Sequence, residues 1–211
     1  SGTCGAEGDG TNLTWTLDSE GTLRIEGEGE MMNYVDDSSV PWNKLREDIK
    51  KLYISDGVTN VEDNTFALCQ NLKHVSIPPS VKSIGERAFA LCENLEYVSI
   101  PYGVINIGRR AFTRCEKLVS VDVPSSVVNI GDEAFSDCGN LKSITFPSSV
   151  TNIGEYSFLR CNSLTSVNIP MSVTNIGVSA FSSCENMKTI FVDKENLNYS
   201  SDKNGVLYDK K

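Results

Sequence analysis

The feature that most constrains this chain is a 23-residue repeat that runs without insertion or deletion from residue 52 to residue 189. Two positions hold the same residue in all six units, and a third is always aliphatic. The phenylalanines are Phe66, Phe89, Phe112, Phe135, Phe158 and Phe181, the cysteines are Cys69, Cys92, Cys115, Cys138, Cys161 and Cys184, and the aliphatic residues are Leu52, Val75, Val98, Val121, Ile144, Val167 and Ile190. Because one such unit cannot bury its own apolar face, the repeat predicts six units stacked into a solenoid.

Each unit carries the signals of a short strand followed by turns. In residues 98–120 the opening Val-Ser-Ile alternates with period two, which indicates a strand, and Pro101 ends the strand because proline has no N–H to donate. Gly108 permits a tight bend or a close backbone approach, and residues 109–113 fit one helical or 3-10 turn. We therefore predict an α/β solenoid with a parallel sheet on the concave side and short helical or 3-10 turns on the convex side.

The repeat resembles that of one known family. Its pattern Leu-x-x-Val-x-Ile-Pro-x-x-Val-x-x-Ile-Gly-x-x-Ala-Phe-x-x-Cys-x-x-Leu is similar to the BspA-like, or treponemal-type, leucine-rich repeat. The departures are Ser55, Glu62 and Thr65 in the first unit and Ser157 in the fifth. The resemblance implies a leucine-rich-repeat solenoid on a bacterial cell surface. It also implies adhesion to host or matrix proteins and to other bacteria.

Residues 1–51 are expected to cap the first unit, since an open solenoid end would expose apolar core and unpaired strand edges. Residues 12–17 and 22–26 alternate around a turn, which predicts a β-hairpin. Pro41 suits the start of a short helix that ends at about Lys50. The segment also resembles the leader that often precedes such repeats in secreted bacterial proteins.

The chain thus divides into a cap at 1–51, six repeats at 52–189 and a final unit at 190–211. In the final unit Asn204-Gly205 is a strong hairpin turn signal. This unit either caps the solenoid or is the start of a further part of a longer protein, and the sequence leaves both interpretations open.

Composition limits the classes of partner. The net charge is −9, from 19 basic and 28 acidic residues, which argues against nucleic acid because phosphate binding depends on Lys and Arg. No run of about 18 apolar residues that could form a transmembrane segment is present. The opening Ser-Gly-Thr-Cys suggests a chain whose signal peptide has been removed. We therefore expect an extracellular or cell-surface location.

The in-phase cysteines raise the question of metal or disulfide chemistry. A disulfide needs Cβ atoms about 3.8 Å apart, and zinc needs four converging ligands, whereas equivalent residues on stacked strands form a row with a spacing of about 4.8 Å. We therefore predict buried free thiols, with no metal and no cofactor. Cys4 lies outside the row and is expected to be free, so that it could link two chains under oxidising conditions.

Two other polar features are considered for chemistry, a series of asparagines and the single histidine. Five asparagines recur in phase and are expected to form a buried file bonded to backbone groups; they are Asn60, Asn106, Asn129, Asn152 and Asn175. His74 is the only histidine, and no nucleophile motif accompanies it, so we predict no catalytic residue and no enzyme.

The predicted function is recognition of a protein or glycan by the concave sheet, with host extracellular-matrix proteins among the candidate partners. Because side chains alternate between the two faces of a strand, one residue in each strand is expected to point outward. These residues are Tyr53, Ser76, Ser99, Asp122, Thr145, Asn168 and Phe191. Because aromatic residues often dominate interface energy, we expect contacts from Tyr53, His74, Tyr97, Tyr102 and Asp122. Three alternatives remain: these are solvated strand residues, the chain is a structural spacer, or it is a hydrolase that uses His74. The sequence does not indicate an oligomeric state.

Overall fold

The strands of successive repeats pair in parallel in a computed structural model, which describes residues 1–210. The strands are β1 Gly2–Thr3, β2 Leu13–Leu17, β3 Thr22–Gly27, β4 Lys51–Ile54, β5 His74–Ser76, β6 Tyr97–Ser99, β7 Asn106–Ile107, β8 Ser120–Asp122, β9 Asn129–Ile130, β10 Asn152–Ile153, β11 Ser166–Ile169, β12 Asn175–Ile176, β13 Thr189–Val192, β14 Tyr199–Ser201 and β15 Leu207–Asp209. One 3-10 helix, Asn43–Asp48, is present in the described part of the chain.

Two parallel sheets run along the solenoid. The first, called the concave sheet below, is a row of strand pairs, β4 with β5, β6 with β8 and β11 with β13, and the rung at residues 143–145 lies between β8 and β11. Its register follows the repeat, with Lys51 opposite His74 and Tyr97 opposite Ser120. The second sheet consists of β7, β9, β10 and β12. The repeat length sets both registers, because every pair joins residues 23 positions apart. The predicted solenoid of six repeats is confirmed.

The convex segments are runs of turns and not helices. In the third unit the Ala111 N–H donates to the Gly108 carbonyl at 3.2 Å, as in a 3-10 helix. Arg110 and Arg114 then adopt left-handed φ values of 55° and 58°, which prevents the helix from continuing. The Phe112 N–H instead donates to the Ala134 carbonyl of the next unit, at 2.8 Å. The short convex turns that the sequence predicts are therefore present, and they bond one unit to the next.

The core is a column of phenylalanine rings. Phe66 to Phe181 stack with centroid separations of 5.3–5.4 Å. The thiols lie beside them as predicted, free and buried, and each from Cys92 to Cys184 donates to a phenylalanine carbonyl of the preceding unit at 3.1–3.3 Å. Burial raises the pKa of the Cys69 thiol to about 12. The core is thus continuous from unit to unit.

The cap joins the solenoid through both its strands and a side chain. β2 and β3 form the predicted hairpin, and β3 also pairs in parallel with β4, so the concave sheet extends into the hairpin. The Trp42 ring stacks on Phe66 at 5.5 Å, and its Nε1–H donates to the Thr65 carbonyl at 3.0 Å. In later units the backbone N–H of the preceding phenylalanine makes the equivalent bond. Trp42 therefore supplies both the ring and the donor of a missing unit.

Two expectations about polar residues are wrong in part. Cys4 is only 2% exposed and packs in the core, so it is not placed to link two chains. The asparagine file is largely at the surface, because the inward positions of the second sheet are taken by isoleucines such as Ile107. Asn152 Nδ2 donates to Asn129 Oδ1 at 2.5 Å, which is an amide ladder between side chains. Asn60 alone is buried, and it accepts from a backbone N–H as expected.

The final unit forms the β14–β15 hairpin, with Gly205 at a left-handed φ of 75° in its turn. Asn196 is fully buried and donates to the carbonyls of Pro170 and Val173. The Gly205 carbonyl accepts from the Ile190 N–H at 2.8 Å. This unit therefore covers the end of the concave sheet.

Candidate binding surface

Four of the five candidate contact residues lie on the concave sheet. Tyr53 is on β4, His74 on β5, Tyr97 on β6 and Asp122 on β8, and all four side chains are exposed. The two strand tyrosines are 40% and 46% exposed, and Tyr102, in the turn that follows β6, is 69% exposed. The alternation of the strands places their neighbours Leu52, Val98 and Val121 in the core. The candidates therefore stand on rigid, well-packed strands.

The cap adds a residue to this surface that the sequence analysis did not identify. Arg24 lies on β3 directly opposite Tyr53, and its guanidinium carbon is 5.3 Å from the centroid of the tyrosine ring. A cation over an exposed ring contributes about 0.5–1 kcal/mol. Arg24 lies between the inward Leu23 and Ile25, so its outward direction was predictable. What the sequence did not reveal was that β3 would pair with β4.

Tyr97 and Asp122 form a polar pair across β6 and β8. The Tyr97 hydroxyl donates a hydrogen bond to Asp122 Oδ2. This hydrogen bond to the carboxylate raises the pKa of Tyr97 above its ordinary value, with a smaller contribution from desolvation. A hydrogen bond of this kind restrains both side chains, and such restraint lowers the entropy that is lost on binding.

A shallow depression of about 350 Å³ lies next to this pair. At this point of the concave sheet a single bridge, between Ser120 and Ser143, joins β8 to the next unit. Asp122 and Thr145 complete its polar lining. The depression therefore presents three hydroxyl groups and a carboxylate beside an exposed aromatic ring.

A second exposed aromatic group lies at the far end of the sheet. Phe191 on β13 is 51% exposed and borders a cavity of about 360 Å³ with Phe146, Asn168 and Ile169. The alternation in the sequence predicts that the Phe191 side chain points outward, but Phe191 is not among the predicted contact residues. An exposed phenylalanine on a strand is a signal that could have identified it.

The cysteines and the single histidine have different surroundings in the described residues. The seven thiols are buried, and burial raises the pKa of each of them. Across residues 1–210, no three side chains of the His, Cys, Asp or Glu type come together as a metal-binding group. His74 lies among Lys51 and Tyr97 on neighbouring strands.

Comparison with known proteins now decides the family. Residues 44–121 and 82–203 match the BspA type leucine rich repeat region, in six copies. The chain belongs to this family. No curated protein sequence matches it. The predicted resemblance is thereby confirmed, and the fold of this BspA-type chain is that of a leucine-rich-repeat solenoid.

Several solved structures share this fold. A leucine-rich repeat protein from Eubacterium ventriosum is 28% identical with a TM-score of 0.61, over 95% of this chain and 46% of its own. The leucine rich repeat protein of T. pallidum is 22% identical with a TM-score of 0.65, over 86% and 90%. A leucine rich cell surface protein from Faecalibacterium prausnitzii is 24% identical with a TM-score of 0.57, over 100% and 59%. The chain therefore spans less than half of the Eubacterium protein and over half of the Faecalibacterium one.

The neighbours are bacterial leucine-rich-repeat proteins, and this fold typically serves binding rather than catalysis. Among residues 1–210, no helix has the length and apolar character needed to cross a bilayer.

Proposed function

We propose that this BspA-type chain is an extracellular recognition module, which binds a protein or a glycan through its concave sheet and serves adhesion at a bacterial cell surface. The observation that carries the proposal is the set of exposed side chains Arg24, Tyr53, His74, Tyr97 and Asp122 in two adjacent register rows on β3, β4, β5, β6 and β8. Aromatic and arginine side chains on a rigid support are the groups that most often supply binding energy at interfaces.

The chemistry of the surface suits a hydroxyl-bearing or peptide partner. An exposed tyrosine ring offers an apolar platform, and the Asp122 carboxylate beside it accepts hydrogen bonds. Ser120, Ser143 and Thr145 can each donate and accept in the adjacent depression. Sugar hydroxyls and peptide amides both match such a mixture, whereas an anionic polymer would be repelled by the net charge of −9.

Charge divides the surface into two ends. The basic side chains Arg24 and Lys51 lie at the end near the cap, and the Asp122 carboxylate lies farther along the solenoid. A partner with an acidic group near one end and a donor near the other would be oriented along the strands. The description of the Faecalibacterium relative as a cell surface protein supports the proposed location.

The proposal is tested by replacing the aromatic contacts. The triple variant Tyr53→Ala, Tyr97→Ala and Tyr102→Ala is screened beside the unchanged chain on arrays of extracellular-matrix proteins and glycans. Tyr156→Ala is the matched control, because Tyr156 is also 40% exposed but lies in a convex turn. We expect the triple variant to lose at least about tenfold in affinity for any captured partner, and the control to keep it.

Two results would count against the proposal. Equal capture of a partner by the triple variant and by the unchanged chain would show that the concave sheet is not the binding site. Capture of nothing, by a chain that is shown to be folded, would favour the structural spacer instead.

A further inference from the structure

The depression between β8 and the rung at residues 143–145 carries one carboxylate that is not paired with a cation. Its polar lining consists of Ser120, Asp122, Ser143 and Thr145. The Asp122 side chain is exposed, and it forms no ion pair within residues 1–210. Its Oδ2 atom accepts from the Tyr97 hydroxyl, whereas Oδ1 accepts no hydrogen bond from the described residues. The carboxylate therefore has lone pairs that can accept from a ligand.

The outward positions around Asp122 supply no positive charge. On β6, Ser99 lies opposite Asp122 and Tyr97 lies opposite Ser120. Beyond the rung at residues 143–145, the outward positions of β11 and β13 are Ser166, Asn168, Thr189 and Phe191. Lys51 is on β4, at the other end of the sheet. Because the chain also has a net charge of −9, the field around Asp122 favours a cationic ligand over an anionic one.

The aromatic ring beside the carboxylate also suits a cation. Tyr97 is 46% exposed, and its hydroxyl is bonded to Asp122, so that the ring lies next to the negative charge. The same sheet already contains a contact of this kind, since the Arg24 guanidinium carbon is 5.3 Å from the centroid of the Tyr53 ring. Arginine is the side chain most often found over aromatic rings in such contacts. An exposed tyrosine of this sheet can therefore hold a guanidinium.

A guanidinium is the cation that can use all of these groups together. It is planar and has five N–H donors in a fixed fork, whereas an ammonium group is a compact point charge with three donors. We propose that the depression is a subsite for an arginine side chain of a protein partner. The guanidinium donates to Asp122 Oδ1 and to the hydroxyl oxygens of Ser143 and Thr145, and its face lies near the Tyr97 ring. This inference rests on the proposed function and names the class of partner, a protein with an exposed arginine.

The size and floor of the depression agree with this ligand. Its volume of about 350 Å³ is at the lower end of the roughly 300–1,000 Å³ that small-ligand sites have. Val121 and Ile144, which are buried, form an apolar floor on which the methylene groups of an arginine can pack. A sugar ring could also bond to the hydroxyls, but a neutral ligand would leave the Asp122 charge unpaired. The observations therefore favour the arginine side chain over the sugar.

The subsite is tested on the full chain by NMR titration with the tripeptide N-acetyl-Gly-Arg-Gly-amide. The matched probe carries citrulline in place of arginine, which keeps the shape of the side chain and removes its charge. We expect the arginine peptide to give saturable shifts of the backbone amides of Asp122, Ser143 and Thr145, and the citrulline peptide to bind at least about tenfold more weakly. Raising the ionic strength from about 0.01 M to about 0.15 M should weaken binding of the arginine peptide and leave the citrulline peptide unchanged.

Variants of the chain locate the subsite. Asp122→Asn should weaken binding of the arginine peptide at least about tenfold. Asp56→Asn is the matched control, because it removes the same charge from an exposed turn after β4, and this variant should bind the peptide as the unchanged chain does. A similar loss in both variants would show that the net charge, and not the depression, attracts the peptide.

Three other results would overturn the inference. They are equal binding of the arginine and citrulline peptides, unchanged binding to Asp122→Asn, and the absence of saturable shifts with the arginine peptide. Shifts of the same amides with methyl β-glucopyranoside alone would make the depression a glycan subsite instead. The proposed function is judged separately on the arrays. A partner that is lost by the triple tyrosine variant but captured equally by Asp122→Asn would leave the proposed function in place and remove the arginine subsite.

Discussion

Replacing glycine by alanine is predicted to have opposite effects on stability at two glycines of one repeat, Gly131 and Gly139. Gly131 lies where the backbone of one unit passes close to the backbone of the preceding unit. A Cβ added there would be 2.8 Å from the Arg109 nitrogen, the Gly108 carbonyl carbon and the Ile107 carbonyl oxygen. Gly139 lies in an open turn of the same unit, where an added Cβ would meet nothing within 4 Å. Neither glycine has a left-handed φ, so the two positions differ in the space that is available for a Cβ atom.

The magnitudes follow from these distances. Ordinary contact begins at 3.4 Å, so Gly131→Ala must separate two backbone segments by roughly 0.6 Å, and such overpacking costs about 1–3 kcal/mol. Gly139→Ala restricts the unfolded chain without strain and should stabilise by about 0.4–1 kcal/mol. The two variants should therefore differ by about 1.4–4 kcal/mol in the free energy of unfolding.

Urea and thermal denaturation, followed by circular dichroism, measure this difference. For a chain of this length 1 kcal/mol corresponds to about 2–4 °C in Tm. Gly139→Ala should raise Tm by about 1–4 °C, and Gly131→Ala should lower it by about 2–12 °C. Equal stability of the two variants would refute the claim that backbone contact between units requires glycine at position 131.

Three further predictions concern the column, the polar pair and the thiols. Phe112→Ala removes a fully buried ring that is stacked on both sides, and should destabilise by about 3–5 kcal/mol in urea denaturation; a loss below 1 kcal/mol would contradict the stacking. Asp122→Asn removes the charged acceptor that raises the pKa of Tyr97, so that pKa should fall toward its ordinary value in an NMR titration, and an unchanged value would argue against the hydrogen bond. Burial raises the pKa of Cys69 from 9.0 to about 12, so unfolded thiols lose protons at lower pH than folded ones. Stability is therefore fully present below pH 9 and declines as the pH rises toward 12, and an equal urea midpoint at pH 8 and pH 10 would contradict this.

Much of the fold was predictable because the repeat determines which residues are buried and which residues point outward from the strands. The period placed the aliphatic, phenylalanine and cysteine positions inside, and the alternation around Leu52 and Val98 identified the outward residues of the concave sheet. The convex turns were harder to predict, because their form depends on left-handed residues that are not glycine, such as Arg110. The bonds to the adjacent unit hold that backbone in place, and no local propensity indicates them.

The candidate surface was only partly accessible to such reasoning. Tyr53, Tyr97 and Asp122 follow from the alternation, but the Tyr97–Asp122 bond depends on side-chain conformations across two strands. Arg24 joins the surface through the pairing of a cap strand with a repeat strand, which has no counterpart in the 23-residue period. The role of all these residues in binding, and the division at residues 51 and 189, remain predictions.

The central claim is that successive 23-residue units seal the phenylalanine column and its thiols away from water. A membrane-impermeant maleimide added to the folded chain tests it directly, with labelled cysteines counted by mass spectrometry before and after unfolding in guanidinium. The account predicts almost no label on any of the seven thiols over minutes in the folded chain, and seven labels after unfolding. Rapid labelling of the six in-phase cysteines under native conditions would contradict it.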